Sequence, residues 1–342
     1  MASAAQRRIK AISYAKYGYM FIAPFFLVYC FFQVWPLIYT FILSFKGNQS
    51  EHALWVGLNN YSTILLGQGR AAGAAASQEE FFRALGNTLI LWFGNFIPQI
   101  LLSLLLAVWF TDAKVKLPGK GFFKVVMYMP NIITAASVAA LYVNLFGDSE
   151  NYFVNSTLMK MGLVSAPVAF IKGPIASKLM VMFIQTWLWF GNTMIMLMSG
   201  IMGINPSLFE AADIDGANSR QQFFRITLPL LQPIMVYTLV TSMIGGLQMF
   251  DIPYLYHNGA NFNKQLETVA VYIYYNFNQG TVESANYGYA GAASIVIFII
   301  TAILGSITFY MNRDKDAIAK KKQRKKAEKQ YKAKMKQGGL TL

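Results

Sequence analysis

A chain of 342 residues that is 55% hydrophobic and only 13% charged is not an ordinary water-soluble globule, since soluble domains run at about 25% charged. Its formal charge of +14 does not point to nucleic acid, because the 29 Lys and Arg are gathered in a few polar segments between apolar runs. Cys30 is the single cysteine, which excludes an intrachain disulfide and any cysteine-built metal or redox motif.

Residues 1–16 form a basic leader with Arg7, Arg8, Lys10 and Lys16. Six apolar runs follow, at 19–45, 85–110, 122–146, 178–202, 229–250 and 288–311. Each approaches the roughly 20 residues needed to cross about 30 Å of hydrocarbon. The first exceeds the core of a signal peptide and lacks a small-residue cleavage pattern, so it is expected to stay as a span. Pro24, Pro36, Pro98 and Pro130 fall inside these runs. They would kink isolated helices but are tolerated where neighbouring helices satisfy the freed backbone. The sequence therefore predicts an all-α, polytopic membrane protein whose six transmembrane helices pack as a bundle.

The first connection, 46–84, contains GQGRAAGAAASQEE and is expected to be mobile in part. The second carries Lys114, Lys116, Lys120 and Lys124 near it. The third, 147–177, has room for one short helix in NYFVNSTLMKMG, and the fifth, 251–287, for a surface helix in ETVAVYIYYNFNQG. After residue 312 come twelve Lys and Arg. Basic residues thus lie on alternate sides of successive spans, which places both termini and the 205–228 connection in the cytoplasm. The tail, 313–342, reads as a solvated segment that fixes orientation, with attraction to anionic lipid as the alternative. His52 and His257 read as ordinary polar loop residues. Small residues recur four apart, as in Ala135 with Ala139, Ala136 with Ala140, Gly288 with Ala292 and Ala290 with Ser294, which permits close helix approach.

The fourth connection, EAADIDGANSRQQFFRITLPLLQP, is compact and charged where its surroundings are apolar. Asn205 before Pro206 is a helix start, with a side-chain acceptor and a preset φ. Asp215 and Gly216 end that helix, a second starts at Asn218 or Ser219, and Pro229 opens the next span. Two helices this short hold no core of their own. Ala211, Ala212 and Ala217 offer a low-bulk face for a groove on another protein, with the charges orienting the contact.

EAA, DGA and F-x-x-I-x-L-P resemble the coupling motif of membrane subunits of binding-protein-dependent ATP-binding-cassette importers. They are carried by Glu210, Ala211, Ala212, Asp215, Gly216, Ala217, Phe223, Ile226, Leu228 and Pro229. Further segments, among them APFFLVYCFFQVWPLIYTFILSF, YMPNIITAASVAALYVNLF and MFDIPYLYHNGA, are similar to the first permease subunit of carbohydrate importers of the maltose and glycerol-3-phosphate type. The resemblance implies a type I importer permease bundle over 17–312 with a coupling helix at 205–228. It also implies a second permease subunit forming a heterodimer, two cytoplasmic ATP-binding subunits and an external solute-binding protein, in a bacterial or archaeal cytoplasmic membrane. ATP and Mg would be used by the partner ATPase and no cofactor by this chain, which has no GxxxxGK[ST] phosphate loop. The Gly-Gly-Pro common after the fifth span is replaced by Asn258–Ala260.

Polar groups within spans are costly and mark candidate solute paths. Gln185, Trp189 and Asn192 are spaced four and three apart, on one helical face. An aromatic plane beside amides suits a sugar, with its hydroxyls and apolar ring face. The fifth span adds Thr241, Ser242, Gly245, Gly246 and Gln248, and the third adds Asn131. By resemblance the third to fifth spans line the sugar pocket, pointing to Asn131, Trp189, Asn192, Ser242, Gly246 and Met249. The alternative is that these groups merely join helices. No carboxylate or basic group occupies a mid-span position, Asp251 standing at the end of the fifth, so a neutral solute is favoured and proton coupling disfavoured. Glycerol-3-phosphate or polyol permeases and a secondary carrier are the alternative functions. A membrane-embedded enzyme would need a titratable cluster that is not apparent.

Overall fold

The computed structural model describes residues 15–47, 54–69, 73–112, 118–256, 263–278, 286–311, 323–325 and 327–328. His52, His257, Asn258–Ala260, Lys114, Lys116, residues 1–14 of the leader and most of the tail lie outside them. Among the described residues the protein is helical, its extended pairing confined to one bridge between Lys46 and Trp55. Among these residues four helical runs are long and apolar enough to cross a membrane, and six are when two sharply bent pairs each count as one span.

The first span runs from Tyr17 to Ser44. It consists of α1 (Ala15–Tyr29), a π turn (Cys30–Val34) and α2 (Trp35–Ser44). Pro36 has no N–H to return to the carbonyl four residues earlier and its ring crowds that group, so the widened turn sits where the bond is lost. α3 (Asn59–Leu66) follows, then α4 (Ala74–Thr111). The second span's helix therefore starts eleven residues before the predicted Leu85. Part of the segment expected to be mobile is helical, because AAASQEE is rich in strong helix formers.

The third span is broken rather than kinked. α5 (Lys120–Tyr128) passes into a 3-10 turn (Met129–Ile132), and α6 (Ala135–Leu145) leaves at 93°. Pro130 removes a helical donor, Ile133 and Thr134 are extended, and Thr134 Oγ1 accepts from the Ser137 N–H at 3.3 Å, restarting the helix in a new direction. α7 (Phe153–Lys160) is the short helix expected in the third connection. α8 (Ala176–Met202) is the fourth span. α9 (Pro206–Ile214) and α10 (Ser219–Gln222) form the hairpin, followed by a π turn (Phe223–Thr227) and α11 (Leu228–Leu230). The fifth span, α12 (Gln232–Leu247), opens after a 61° bend. Its N-terminal proline is Pro233 and not Pro229, which lies within the preceding run. α13 (Asp251–Tyr256), α14 (Val269–Phe277) and α15 (Tyr287–Met311) complete the order. α14 was expected as a surface helix, yet Val269, Val271, Tyr272 and Asn276 are buried.

Two compact units divide the chain, Met1–Leu85 with Val269–Phe298 and Gly86–Thr268 with Ile299–Leu342. In the first, Phe81 packs edge-on against Tyr272, and Asn60 Nδ2 donates to the Ser44 and Lys46 carbonyls at 2.8 and 2.7 Å. Gly291 there touches α2 so closely that a Cβ would fall 2.8 Å from Ser44 N. In the second unit one apolar cluster joins α6, α8 and α13 through Val138, Ile184 and Ile252, and another joins α4 to α8 through Ala107, Phe110 and Met194. Its 147–177 connection is tied down by polar groups. Asp148 accepts from the Ile171 and Lys172 N–H groups, and the Asn155 amide donates to the Gly147 and Val168 carbonyls. Tyr256 is fully buried beside them. Burial, and then the charge of Asp148, push its phenol above the ordinary range, so it stays protonated and donates to the Phe170 carbonyl.

Candidate functional site

A cavity of about 520 Å³ lies wholly within the second unit, in the range of small-ligand pockets. Asn131, Gln185, Trp189, Asn192, Ser242, Gly246, Gln248 and Met249 all line it. α8 supplies Gln185, Trp189 and Asn192 from one face, as their spacing predicts. α12 supplies Ser242 and Gly246, while Gln248 and Met249 stand just beyond its end.

Asn131 comes from the break in the third span, where its amide donates to the Leu188 carbonyl at 3.4 Å. The break can sit this near α8 because residue 191 is glycine. A Cβ there would fall 2.9 Å from Tyr128 Cα and 2.8 Å from the Met127 carbonyl carbon. Gly246 serves the same purpose on α12, since a Cβ would run into the Trp92 ring. Trp92 is buried, and its Nε1–H donates to Ser242 Oγ at 3.2 Å. Trp189 is 48% exposed.

α4 forms a wall that sequence reasoning did not assign. Trp92, Asn95 and Gln99 line the cavity from it, spaced three and four apart. Gln99 Nε2 donates to Thr193 Oγ1 at 2.8 Å, and Thr186 Oγ1 donates to the Asn95 carbonyl at 3.1 Å. That periodic row of polar groups in an apolar span was the available signal. Among the described residues the side-chain amides of Gln185, Asn192 and Gln248 have no protein partner, so their hydrogen-bonding capacity remains available to a polar guest. Among the described residues Lys, Arg and His are missing from the lining, and its carboxylate is Asp251, the first residue of α13.

The hairpin is built as a self-fastened unit. Asn205 Oδ1 accepts from the Ser207 N–H at 3.1 Å to start α9. The helix closes with Gly216 at φ 74°, the Gly216 N–H donating to the Asp213 carbonyl and the Ala217 N–H to the Ala212 carbonyl. Asn218 and Gln221 cap α10 reciprocally. Across the turn, buried Gln222 donates through Nε2 to Asp213 Oδ1 at 2.7 Å and to the Ala217 carbonyl at 3.2 Å. Phe223 and Ile226 fall in the π turn, and Leu228 and Pro229 in α11.

The hairpin's surface remains open. No residue of α9 is buried, and Leu208, Ile214 and Phe224 are 45%, 87% and 55% exposed. Ala211 is exposed and Ala212 and Ala217 half-buried. Among the described residues Glu210, Asp215 and Arg225 make no ion pair, and Arg220 lies 6.0 Å from the centre of the Phe224 ring. Exposed apolar side chains thus stand beside charges that make no ion pair among the described residues.

Apolar helices long enough to span a membrane, a cavity lined by amides and hydroxyls within the second unit and an exposed hairpin fit a membrane permease component. Residues 90–315 match the binding-protein-dependent transport system inner membrane component family, and the chain belongs to that family. It is an integral, multi-pass transport subunit of ABC transporters and not an enzyme. It is 31% identical to the arabinooligosaccharides transport system permease protein AraP of Bacillus subtilis, over 86% of this chain and 88% of the relative. It is 28% identical to the lactose transport system permease protein LacF of Rhizobium radiobacter, over 87% and 94%. Its fold matches a chain in the crystal structure of a bacterial ABC transporter involved in the import of the acidic polysaccharide alginate. That match has a TM-score of 0.72 at 25% identity, covering 89% of this chain and 98% of the other. A second match, with TM-score 0.66 and 25% identity over 86% and 93%, is to the alginate ABC transporter in complex with an alginate pentasaccharide-bound periplasmic protein.

Proposed function

We propose that this chain forms part of the translocation path for a neutral sugar or oligosaccharide in an ATP-driven importer. The observation that carries this is one cavity bringing together a half-exposed tryptophan and three amides without protein partners among the described residues, in a chain whose relatives serve arabinooligosaccharides and lactose. An aromatic face covers the apolar side of a pyranose while amides meet its hydroxyls. Glycerol-3-phosphate fits less well, because a phosphate calls for a cation and, among the described residues, the lining offers none.

The hairpin is the coupling element on this reading, entering a cleft of a cytoplasmic ATPase with both termini on the same side. Its clasp makes it rigid and its open face makes it sticky, as force transmission requires. The working assembly is this chain with a distinct second permease, two ATP-binding subunits that use ATP and Mg, and an external solute-binding protein, in the cell membrane. No nucleic acid takes part.

Gly216→Pro tests the coupling role. Proline cannot adopt φ 74° and has no N–H for the Asp213 carbonyl. The variant should insert into the membrane at normal level yet lose copurification with the ATPase and lose uptake. Normal uptake would remove the hairpin from the mechanism.

A further inference from the structure

Among the described residues Asp251 is the one Asp, Glu, Lys, Arg or His in the cavity lining. It is itself exposed, at the edge of the cavity between buried Ile252 and partly buried Phe250, just past the end of α12. Among the described residues its carboxylate makes no ion pair, and no Lys, Arg or His faces it across the cavity. The other polar groups there are neutral amides and hydroxyls. Among the described residues the charge is therefore uncompensated, and the walls beside it direct its field into the open space that they line. A solute entering meets a strong hydrogen-bond acceptor if it is neutral and a like charge if it carries a carboxylate.

Resting on the sugar reading above, we propose that Asp251 is the charge-selecting residue of the path: its carboxylate accepts hydroxyl hydrogen bonds from neutral glycans and rejects uronates. The fold is shared with a chain of an importer of an acidic polysaccharide, so fold does not set this preference, whereas one unpaired carboxylate can. At protein-surface dielectric, a like charge held close by weakens binding by roughly tenfold or more.

The test uses the purified importer complex with the full-length chain. Neutral hexose trisaccharides of glucose, galactose and mannose are each compared with the counterpart whose 6-hydroxymethyl groups are oxidised to carboxylates. Binding is followed by quenching of tryptophan fluorescence, since Trp92 and Trp189 line the cavity. Wild type should favour the neutral form about tenfold or more, Asp251→Asn should bring the ratio close to one, and Asp251→Glu should restore it. A ratio unchanged in Asp251→Asn, or a wild type that binds both forms alike, overturns the proposal. If Asp251→Asn fails to assemble, the wild-type ratio measured against ionic strength decides, because a charge-based preference shrinks in salt and a salt-independent ratio overturns it. A wild type that binds no member of the panel overturns the sugar reading itself, a result distinct from a lost charge preference.

Discussion

At the residue scale the cavity depends on two kinds of side chain, those that are satisfied and those that are not. Trp92 and Gln99 are held by Ser242 and Thr193, so they shape the wall. Among the described residues Asn192 and Gln185 lack such partners and sit one turn either side of Trp189, which on the proposed reading makes them the groups available to a hydroxylated solute. Asn192→Ala should accordingly raise the apparent KM for sugar uptake several-fold, since one lost hydrogen bond is worth about 1 kcal/mol. Assembly and ATPase docking should be unaffected, and unchanged uptake kinetics would take Asn192 out of the path. The α8 face was readable from its three-four spacing, because helical periodicity is local. The unsatisfied state of its amides was not, since a possible partner on another helix is a tertiary fact. Gly191 and Gly246 were likewise visible as glycines but not as points where backbone or indole lies against a helix.

At the element scale the hairpin and the broken third span differ in how their shape is encoded. The hairpin's helices, caps and left-handed turn follow from Asn205, Pro206, Gly216 and Asn218, each acting within four residues of its own position. The clasp does not, because Gln222 reaches nine residues back to Asp213. Gln222→Ala should loosen the hairpin while leaving its caps intact. On the proposed mechanism, uptake then falls more steeply than membrane insertion, with ATPase copurification weakened and not abolished. Equal uptake by Gln222→Ala and wild type would show the clasp to be dispensable. For the third span, Pro130 announced an interruption. The 93° turn required Thr134 to cap a new helix and α8 to receive the break, through Asn131 and the small face at Gly191.

At the scale of the whole molecule, the apolar window of the Tyr17–Ser44 span has none of its residues buried within the chain, and Phe21 is 82% exposed. Such a surface belongs against lipid or another subunit. The chain carries no phosphate-binding loop, so on the proposed reading its work is borrowed. Reconstituted in liposomes without ATP-binding subunits, it should accumulate no solute against a gradient, and uphill accumulation by the chain alone would end the importer mechanism proposed for it. By itself, the sequence determined the membrane class, the family and the hairpin's local form. Hydropathy runs, caps and motif spacing act over a few residues and need no partner. Only the tertiary structure decided that α4 walls the cavity, that the third span breaks, and that Asp251 shares a space with Trp189 and Gln248. Those facts depend on which helices pack together, and side chains distant in sequence meet only once the backbones have approached.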